Sequence, residues 1–273
     1  MKDLQIAFIG AGNMARSIIG GLIEGGLAAG NITACARTEE SLQKTAQEFQ
    51  VNTELDALKA VKNADVVVLA VKPQILKEVA LAIAPALTKQ TLVLSVAAGI
   101  TTDSMAKWLG QEFAIVRSMP NTPSLLQLGA SGAFANANCS VEQRQIGNDI
   151  LASVGIVEWV DSEALLNPVT AVSGSGPAYY FLMMEAMIDA GVAMGLDRDS
   201  ASKLTIQTAL GAAKLAQTAD VDVAELRRRV TSPGGTTEQA INSFEQNHIR
   251  ATFTCAMKAA SDRGAELAEI LGK

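Results

Sequence analysis

Leu4-Gln5-Ile6-Ala7-Phe8-Ile9-Gly10-Ala11-Gly12-Asn13-Met14-Ala15 is the stretch that decides the fold. Residues 4–9 form a short apolar run, long enough for one buried strand. It meets Gly10-x-Gly12-x-x-Ala15, after which residues 16–22 read as helix. A strand, a tight glycine turn and a helix in this order make a dinucleotide-binding unit. Gly10 permits the sharp turn. Gly12 has no β-carbon, so a pyrophosphate can approach the backbone. Ala15, small in place of a third glycine, lets the helix lie close to the strand. The first-turn N–H groups of that helix have no internal acceptors and face the phosphates.

Outward from this unit, strand and helix patterns alternate, which marks a parallel sheet. Residues 32–36 read as the second strand, and residues 39–49 as a helix with Thr38 as its N-cap. Val66-Val67-Val68-Leu69-Ala70 is a continuous run, expected of a strand covered on both faces. Pro73 opens a helix to about residue 84. Leu92-Val93-Leu94-Ser95-Val96 is a further strand and residues 101–109 a further helix. Residues 113–117 and 129–135 read as weaker strands, 141–152 as a helix and 156–160 as the last strand. In such sheets the ligand lies beyond the carboxyl ends of the strands. The site loops are therefore expected at 10–15, 36–38, 70–73, 95–99 and 117–123. From residue 161 the strand pattern stops. Residues 164–271 are helical and alanine-rich, broken at Gly174-Ser175-Gly176-Pro177, at Gly195 and at Ser232-Pro233-Gly234-Gly235. The expected fold class is α/β: a Rossmann-like N-terminal domain with a mostly parallel sheet over 1–161, and an all-α domain over 162–273.

Composition narrows the function. The 273 residues are 49% apolar but only 4% aromatic, so the core is aliphatic. A net charge of −6 argues against nucleic-acid binding. Cys35, Cys139 and Cys255 are odd in number and far apart, which gives neither a disulfide framework nor a metal-site spacing and suits the cytoplasm. Met1-Lys2-Asp3 leaves little room for a signal peptide ahead of the first strand. Residues 178–196 are nearly all apolar, but Glu185 and Asp189 interrupt them, so a helix buried on most sides is expected there and no membrane span. Several later helices carry small or apolar residues on more than one face, as in Ala186, Ala190, Ala193 and Ala209, Ala212, Ala213, Ala216. Self-association is the simplest reason.

The second strand ends in Ala36-Arg37-Thr38, with no acid at its tip to take a ribose 2′-hydroxyl. Arg37 is suited to a 2′-phosphate, the competing reading being a solvated surface arginine, so NADP(H) is favoured over NAD(H). Lys72 in Ala70-Val71-Lys72-Pro73 faces either the cofactor or solvent. Ser232-Pro233-Gly234-Gly235-Thr236-Thr237 precedes a helical run, and two glycines and two threonines at a helix start form a carboxylate-sized anion site. Ser173-Gly174-Ser175-Gly176-Pro177 has the same form or is simply the hinge that starts a long helix. Acid–base groups are scarce. His248 is the only histidine and reads as a surface or capping residue between two helices. Tyr179 and Tyr180 point in different directions on a helix and read as core packing. A hydride-transfer enzyme so poor in such groups suggests a substrate with its own electrophilicity, such as a protonated imine.

Five strings stand together in order: Phe8-Ile9-Gly10-Ala11-Gly12-Asn13-Met14-Ala15, Ala70-Val71-Lys72-Pro73, Arg117-Ser118-Met119-Pro120-Asn121-Thr122-Pro123, Ala171-Val172-Ser173-Gly174-Ser175-Gly176-Pro177-Ala178-Tyr179 and Val230-Thr231-Ser232-Pro233-Gly234-Gly235-Thr236-Thr237. The set resembles the pyrroline-5-carboxylate reductases over essentially the whole chain. The resemblance implies hydride transfer from NADPH, or NADH, to the C=N carbon of 1-pyrroline-5-carboxylate, giving L-proline in the last step of its biosynthesis. It implies a homodimer, or a larger homo-oligomer, built through the C-terminal helices. It implies cofactor contacts from Ile9, Gly10, Ala11, Gly12, Asn13, Met14, Ala70, Val71, Lys72, Pro73, Ala97 and Ala98. The turn of Ser232, Gly234, Gly235, Thr236 and Thr237 would hold the substrate carboxylate, with the Thr237 hydroxyl toward the ring nitrogen as the catalytic contact. One departure stands out. Where the family often has an asparagine on the adenosine ribose, this chain has Leu55-Asp56-Ala57-Leu58, so Arg37 carries more of the cofactor preference. Two other readings compete: a β-hydroxyacid dehydrogenase, for which Lys203 or Lys214 would be the proton donor, and a nucleotide-binding sensor without turnover.

Overall fold

The computed structural model describes residues 3–110 and 112–273; Met1 and Lys2, ahead of the first strand, and Gln111 lie outside it. Eight strands form one sheet: β1 (Ile6–Ile9), β2 (Ile32–Cys35), β3 (Asn52–Glu54), β4 (Val66–Leu69), β5 (Leu92–Ser95), β6 (Ala114–Met119), β7 (Gly129–Ala135) and β8 (Gly155–Trp159). Their order is β3-β2-β1-β4-β5-β6-β7-β8. Every neighbouring pair is parallel except β6 with β7. Between β6 and β7 the chain makes only a 3₁₀ turn, Thr122–Leu126, with no crossover helix to reverse its direction. The helices of this half are α1 (Asn13–Glu24), α2 (Glu39–Phe49), α3 (Ala57–Val61), α4 (Pro73–Ile83), α5 (Thr102–Leu109) and α6 (Val141–Ala152). Thr38 caps α2 by accepting the Ser41 N–H at 3.4 Å, as its position predicts.

Alternate residues of each strand serve two separate cores, as expected of a sheet covered on both faces. Ile6, Phe8, Val66, Val68, Leu92 and Leu94 pack with Ala15, Ile18, Ile19 and Leu22 of α1. Ala7, Ile9, Val67, Leu69 and Val93 pack with Leu76 and Ile83 of α4 and Met105 of α5. Two elements were not foreseen. The strand β3 is three polar residues at the sheet edge, and α3 is five residues long, too short to show a period. The strand β6 also runs two residues past its expected end.

After β8 the chain is helical: α7 (Leu166–Val169), a π-type turn Thr170–Gly174, then α8 (Gly176–Ala193), α9 (Arg198–Thr218), α10 (Val223–Arg229), α11 (Thr236–Gln246) and α12 (Ile249–Leu271). Packing divides the described residues at other points than the end of the strand pattern. One compact unit runs through Ser175 and takes back Lys258–Lys273; the other is Gly176–Met257. In the first unit Leu271 joins the α4–α5 core. There the Ser104 hydroxyl donates to the Gly272 carbonyl at 3.0 Å and Lys77 Nζ to the Lys273 carbonyl at 2.9 Å. In the second unit the expectation for α8 is corrected. It packs on α9, but Tyr180, Phe181, Leu182 and Met187 are each more than half exposed, so a single chain does not bury it on most sides. No helix of the described residues is long and apolar enough to cross a membrane.

One buried ion pair ties the start of the helical half to the sheet. Glu163 accepts Arg117 Nη1 at 2.9 Å, the Thr102 N–H at 2.8 Å and the Thr102 hydroxyl at 2.7 Å. Arg117 is buried in β6, and Thr102 is the first residue of α5, so the carboxylate also caps that helix. Replacing Glu163 by Ala strands a buried guanidinium and is expected to cost about 3–5 kcal/mol of stability, read from urea unfolding. A loss below about 1 kcal/mol would show that water solvates Arg117 as well as Glu163 does.

Candidate active site

The site loops predicted from sequence come together in the first unit at one level of the sheet. Ile9 lies beside Cys35 and Leu69, and Leu69 beside Ser95. The next residues, Gly10, Ala36, Ala70 and Val96, therefore leave the sheet side by side. The order β2-β1-β4 places the reversal of strand order between β1 and β4, where open α/β sheets bind their ligands. Gly10 has φ +107°, and a β-carbon there would lie 2.5 Å from the Ala70 carbonyl oxygen, so only glycine fits. Its N–H donates to the Cys35 carbonyl at 2.8 Å, and the Ala70 N–H to Ile9 at 2.9 Å. Gly12 is the N-cap of α1, and no side chain caps that helix. A β-carbon at Gly12 would meet nothing within 4 Å, so the backbone faces open space. The first acceptor inside the helix is the Gly12 carbonyl, which takes the Arg16 N–H at 3.0 Å. The N–H groups of Asn13, Met14 and Ala15 are left for a ligand, and Ala15 is fully buried against the strand.

The other predicted residues ring this cradle. Arg37 is exposed and has no ion-pair partner among the described residues, which leaves its guanidinium available. The nearby acids are engaged elsewhere. Glu39 and Glu40 lie in the first turn of α2, and Glu40 pairs with Lys44 at 3.2 Å. Glu54 accepts the N–H groups of Leu55 and Asp56, and Asp56 caps α3. Lys72 is the exposed N-cap of α4 with Pro73 at its first position. In the loop after β5, Ala97 is buried, its N–H donating to Ser95 Oγ at 3.3 Å, while Ala98 is exposed. Burial, with Glu54 and Asp56 nearby, pushes the Cys35 thiol up to about 11, so Cys35 is not a thiolate nucleophile near neutral pH.

The second unit carries the other predicted turn. Gly234 has φ +73°, and the Gly235 N–H closes the turn onto the Ser232 carbonyl at 3.0 Å. Gly235 is the N-cap of α11, again with no side-chain cap. The expected cluster of free N–H groups is corrected in two places: Gly235 is used within the turn, and the Gly234 N–H donates to Glu238 Oε2 at 2.8 Å. The first-turn N–H groups of Thr236 and Thr237 remain, with both side chains exposed. The helix start is thus polar, exposed and without a cap from its N-cap residue.

The residues weighed for other chemistry are placed elsewhere. His248 is exposed, with φ +58°, at the break between α11 and α12, where its carbonyl accepts the Thr252 N–H. It serves as a helix junction, as expected. Lys203 pairs with Asp199 at 2.6 Å and Lys214 bonds Gln217 at 2.9 Å, all at the surface, so neither is a buried proton donor. Sequence reasoning placed Asn121 in the expected 117–123 site loop but gave its side chain no role. Its side chain is 8% exposed, accepts the Ala130 N–H at 2.9 Å and donates to the Ser173 carbonyl at 3.0 Å.

Known proteins share this arrangement. A family model described as "NADP oxidoreductase coenzyme F420-dependent" matches residues 5–99, and one described as "Pyrroline-5-carboxylate reductase dimerisation" matches residues 163–267. The chain is 54% identical to the pyrroline-5-carboxylate reductase of Pseudomonas aeruginosa over 273 residues, the whole of both chains. It is 36% identical to that of Escherichia coli over 268 residues, 98% of this chain and 99% of the other. Among solved structures, a pyrroline-5-carboxylate reductase from Coxiella burnetii is similar with a TM-score of 0.93 at 45% identity, covering 97% of this chain and 99% of the other. The Plasmodium falciparum pyrroline carboxylate reductase with NADP bound has a TM-score of 0.87 at 29% identity, covering 98% and 99%. With a glycine cradle at the switch point, an uncapped Gly-Gly-Thr-Thr helix start and relatives matched end to end, the chain belongs to the pyrroline-5-carboxylate reductase family.

Proposed function

We propose that the protein reduces 1-pyrroline-5-carboxylate to L-proline with NAD(P)H, on the strength of one observation above others: full-length identity to reductases of that name, joined to an intact cradle for the cofactor. The cradle fits a dinucleotide pyrophosphate, because the space over Gly12 is open and α1 has no cap of its own. Residues 1–161 hold the cofactor in this reading, and residues 162–273 hold the substrate and the contacts between subunits. Ile9, Gly10, Ala11, Gly12, Asn13 and Met14 take the pyrophosphate, Arg37 the 2′-phosphate, and Ala70, Val71, Lys72, Pro73, Ala97 and Ala98 line the remaining length. Bound NAD(P)H would supply a hydride to the carbon of the N-protonated C=N bond, whose π electrons would pass to nitrogen.

The chain's own residues then have a limited task. Ser232, Gly234, Gly235, Thr236 and Thr237 hold the carboxylate at the start of α11, with the helix dipole favouring the negative charge. The carboxylate displaces Glu238 from the Gly234 N–H, since both are anions of the same kind. The Thr237 hydroxyl takes the hydrogen bond of the ring nitrogen. No strong protein acid is needed, because the imine enters already protonated; catalysis is mostly positioning. The exposed apolar side chains of α8 favour a homo-oligomer built through the helical half. Free cysteines at 35, 139 and 255 suit a cytoplasmic location.

Three measurements test this reading. Purified protein should oxidise NADPH on addition of 1-pyrroline-5-carboxylate, with proline as product; a folded protein that binds NADPH but oxidises none would favour the sensor reading. Arg37→Ala should raise the KM for NADPH about ten-fold while changing that for NADH little, the worth of one charge-assisted hydrogen bond. Equal effects on both cofactors would remove the 2′-phosphate contact. Thr237→Ala should lower kcat about ten-fold and leave NADPH affinity nearly unchanged, and unaltered turnover would sink its assigned role.

A further inference from the structure

The π-type turn at Thr170–Gly174 leaves one carbonyl in a particular difficulty. In an α-helix the Ser173 carbonyl would accept the N–H of residue 177. Residue 177 is proline and has no N–H. A half-buried carbonyl without a donor costs stability, and here a donor comes from elsewhere. It comes from Asn121, 52 residues earlier in the chain, whose Nδ2 donates to the Ser173 carbonyl at 3.0 Å. The same carboxamide is used at its other end, where Oδ1 accepts the Ala130 N–H of β7 at 2.9 Å. The contact is close along its whole length. A β-carbon on Gly174 would lie 2.6 Å from Met119 Cε, and one on Gly132 would lie 2.5 Å from Val169 Cγ1.

These residues stand at the carboxyl end of the sheet. Ser118, three residues before Asn121, donates its hydroxyl to the Ser95 carbonyl at 3.0 Å, at the root of the loop that carries Ala97 and Ala98. Two hydrogen bonds, joined by the covalent stretch from Ser118 to Asn121, therefore link the end of β5 to the turn at Ser173. We propose that Asn121 is a positioning residue for hydride transfer, fixing the Ser173–Gly174 turn against the carboxyl end of β6 by supplying the donor that Pro177 withholds. Asn121 itself touches no reacting atom. It acts because a reaction catalysed by alignment tolerates little displacement: a shift of about 1 Å costs about a hundred-fold in rate.

This inference rests on the reductase reading, so each variant is assayed beside the parent enzyme. Absence of 1-pyrroline-5-carboxylate-dependent NADPH oxidation in the parent would count against that reading and not against Asn121. Asn121→Asp keeps the acceptor and loses the donor. Asn121→Asp with Pro177→Ala restores an N–H four residues after the Ser173 carbonyl. The single variant should lose about ten-fold or more in kcat/KM for 1-pyrroline-5-carboxylate, with KM for NADPH within about two-fold of the parent. The double variant should recover at least about a third of the lost activity, a coupling that a merely destabilising change would not produce. Parental kcat/KM in the single variant overturns the proposal, as does a folded double variant with no recovery. Should Asn121→Asp fail to fold, the double variant decides alone: folding with activity supports the role, and failure to fold or to turn over refutes it.

Discussion

The Ala70 carbonyl oxygen occupies the place that any side chain at residue 10 would need. Much of the cofactor half depends on this close approach. It requires glycine and a positive φ at residue 10, and so turns the chain sharply off β1 and aims α1 back along the sheet. It also sets the end of β4 directly beside the mouth of the turn, so that Val71, Lys72 and Pro73 begin where the cradle opens. Strand order adds the rest. The chain goes from β1 to β2 and β3 on one side and returns to β4 on the other, so the loops diverge and leave a crevice. The fully buried strands β1 and β4 hold both edges of that crevice rigid, with alternate side chains locked into separate cores.

The two polar turns of the chain solve the same problem differently. At α1 the helix start is left uncapped and open. At α11 the start is also uncapped by its N-cap residue, but Glu238 reaches back to the Gly234 N–H. An internal carboxylate there satisfies a donor that would otherwise need water, and it is the same kind of group that the site is proposed to receive.

What was legible in the sequence was whatever repeats or abuts. Continuous runs such as Val66-Val67-Val68-Leu69 gave buried strands because a strand covered on both faces has no polar alternation. Thr38 before Glu39 and Glu40 gave a helix start because capping is a contact between near neighbours. The glycine cradle was legible because its parts lie within six residues. The strand β3 was not, since Asn52, Thr53 and Glu54 carry no apolar signal and pair only at the sheet edge. Asn121 with Ser173 and Glu163 with Arg117 were not, since a single hydrogen bond or ion pair between distant residues leaves no period to read. The string from Ser173 to Pro177 read as an anion turn or as the hinge that starts a long helix, and the distant amide that donates to the Ser173 carbonyl left no mark in it. The number of apolar faces on α8 hinted at a partner, and the exposed Tyr180, Phe181 and Leu182 are the surface behind that hint.

The compact unit that begins with β1 is closed by Lys258–Lys273. Leu271, Gly272 and Lys273 supply a core side chain and two carbonyls that α4 and α5 lack without them. During synthesis the sheet half emerges early, yet its α4–α5 layer is complete only after Lys258–Lys273 have followed it. Without that segment Ser104 and Lys77 would lose their carbonyl acceptors and the α4–α5 core its Leu271 side chain, so a layer built from early elements stays open to solvent until a late one arrives.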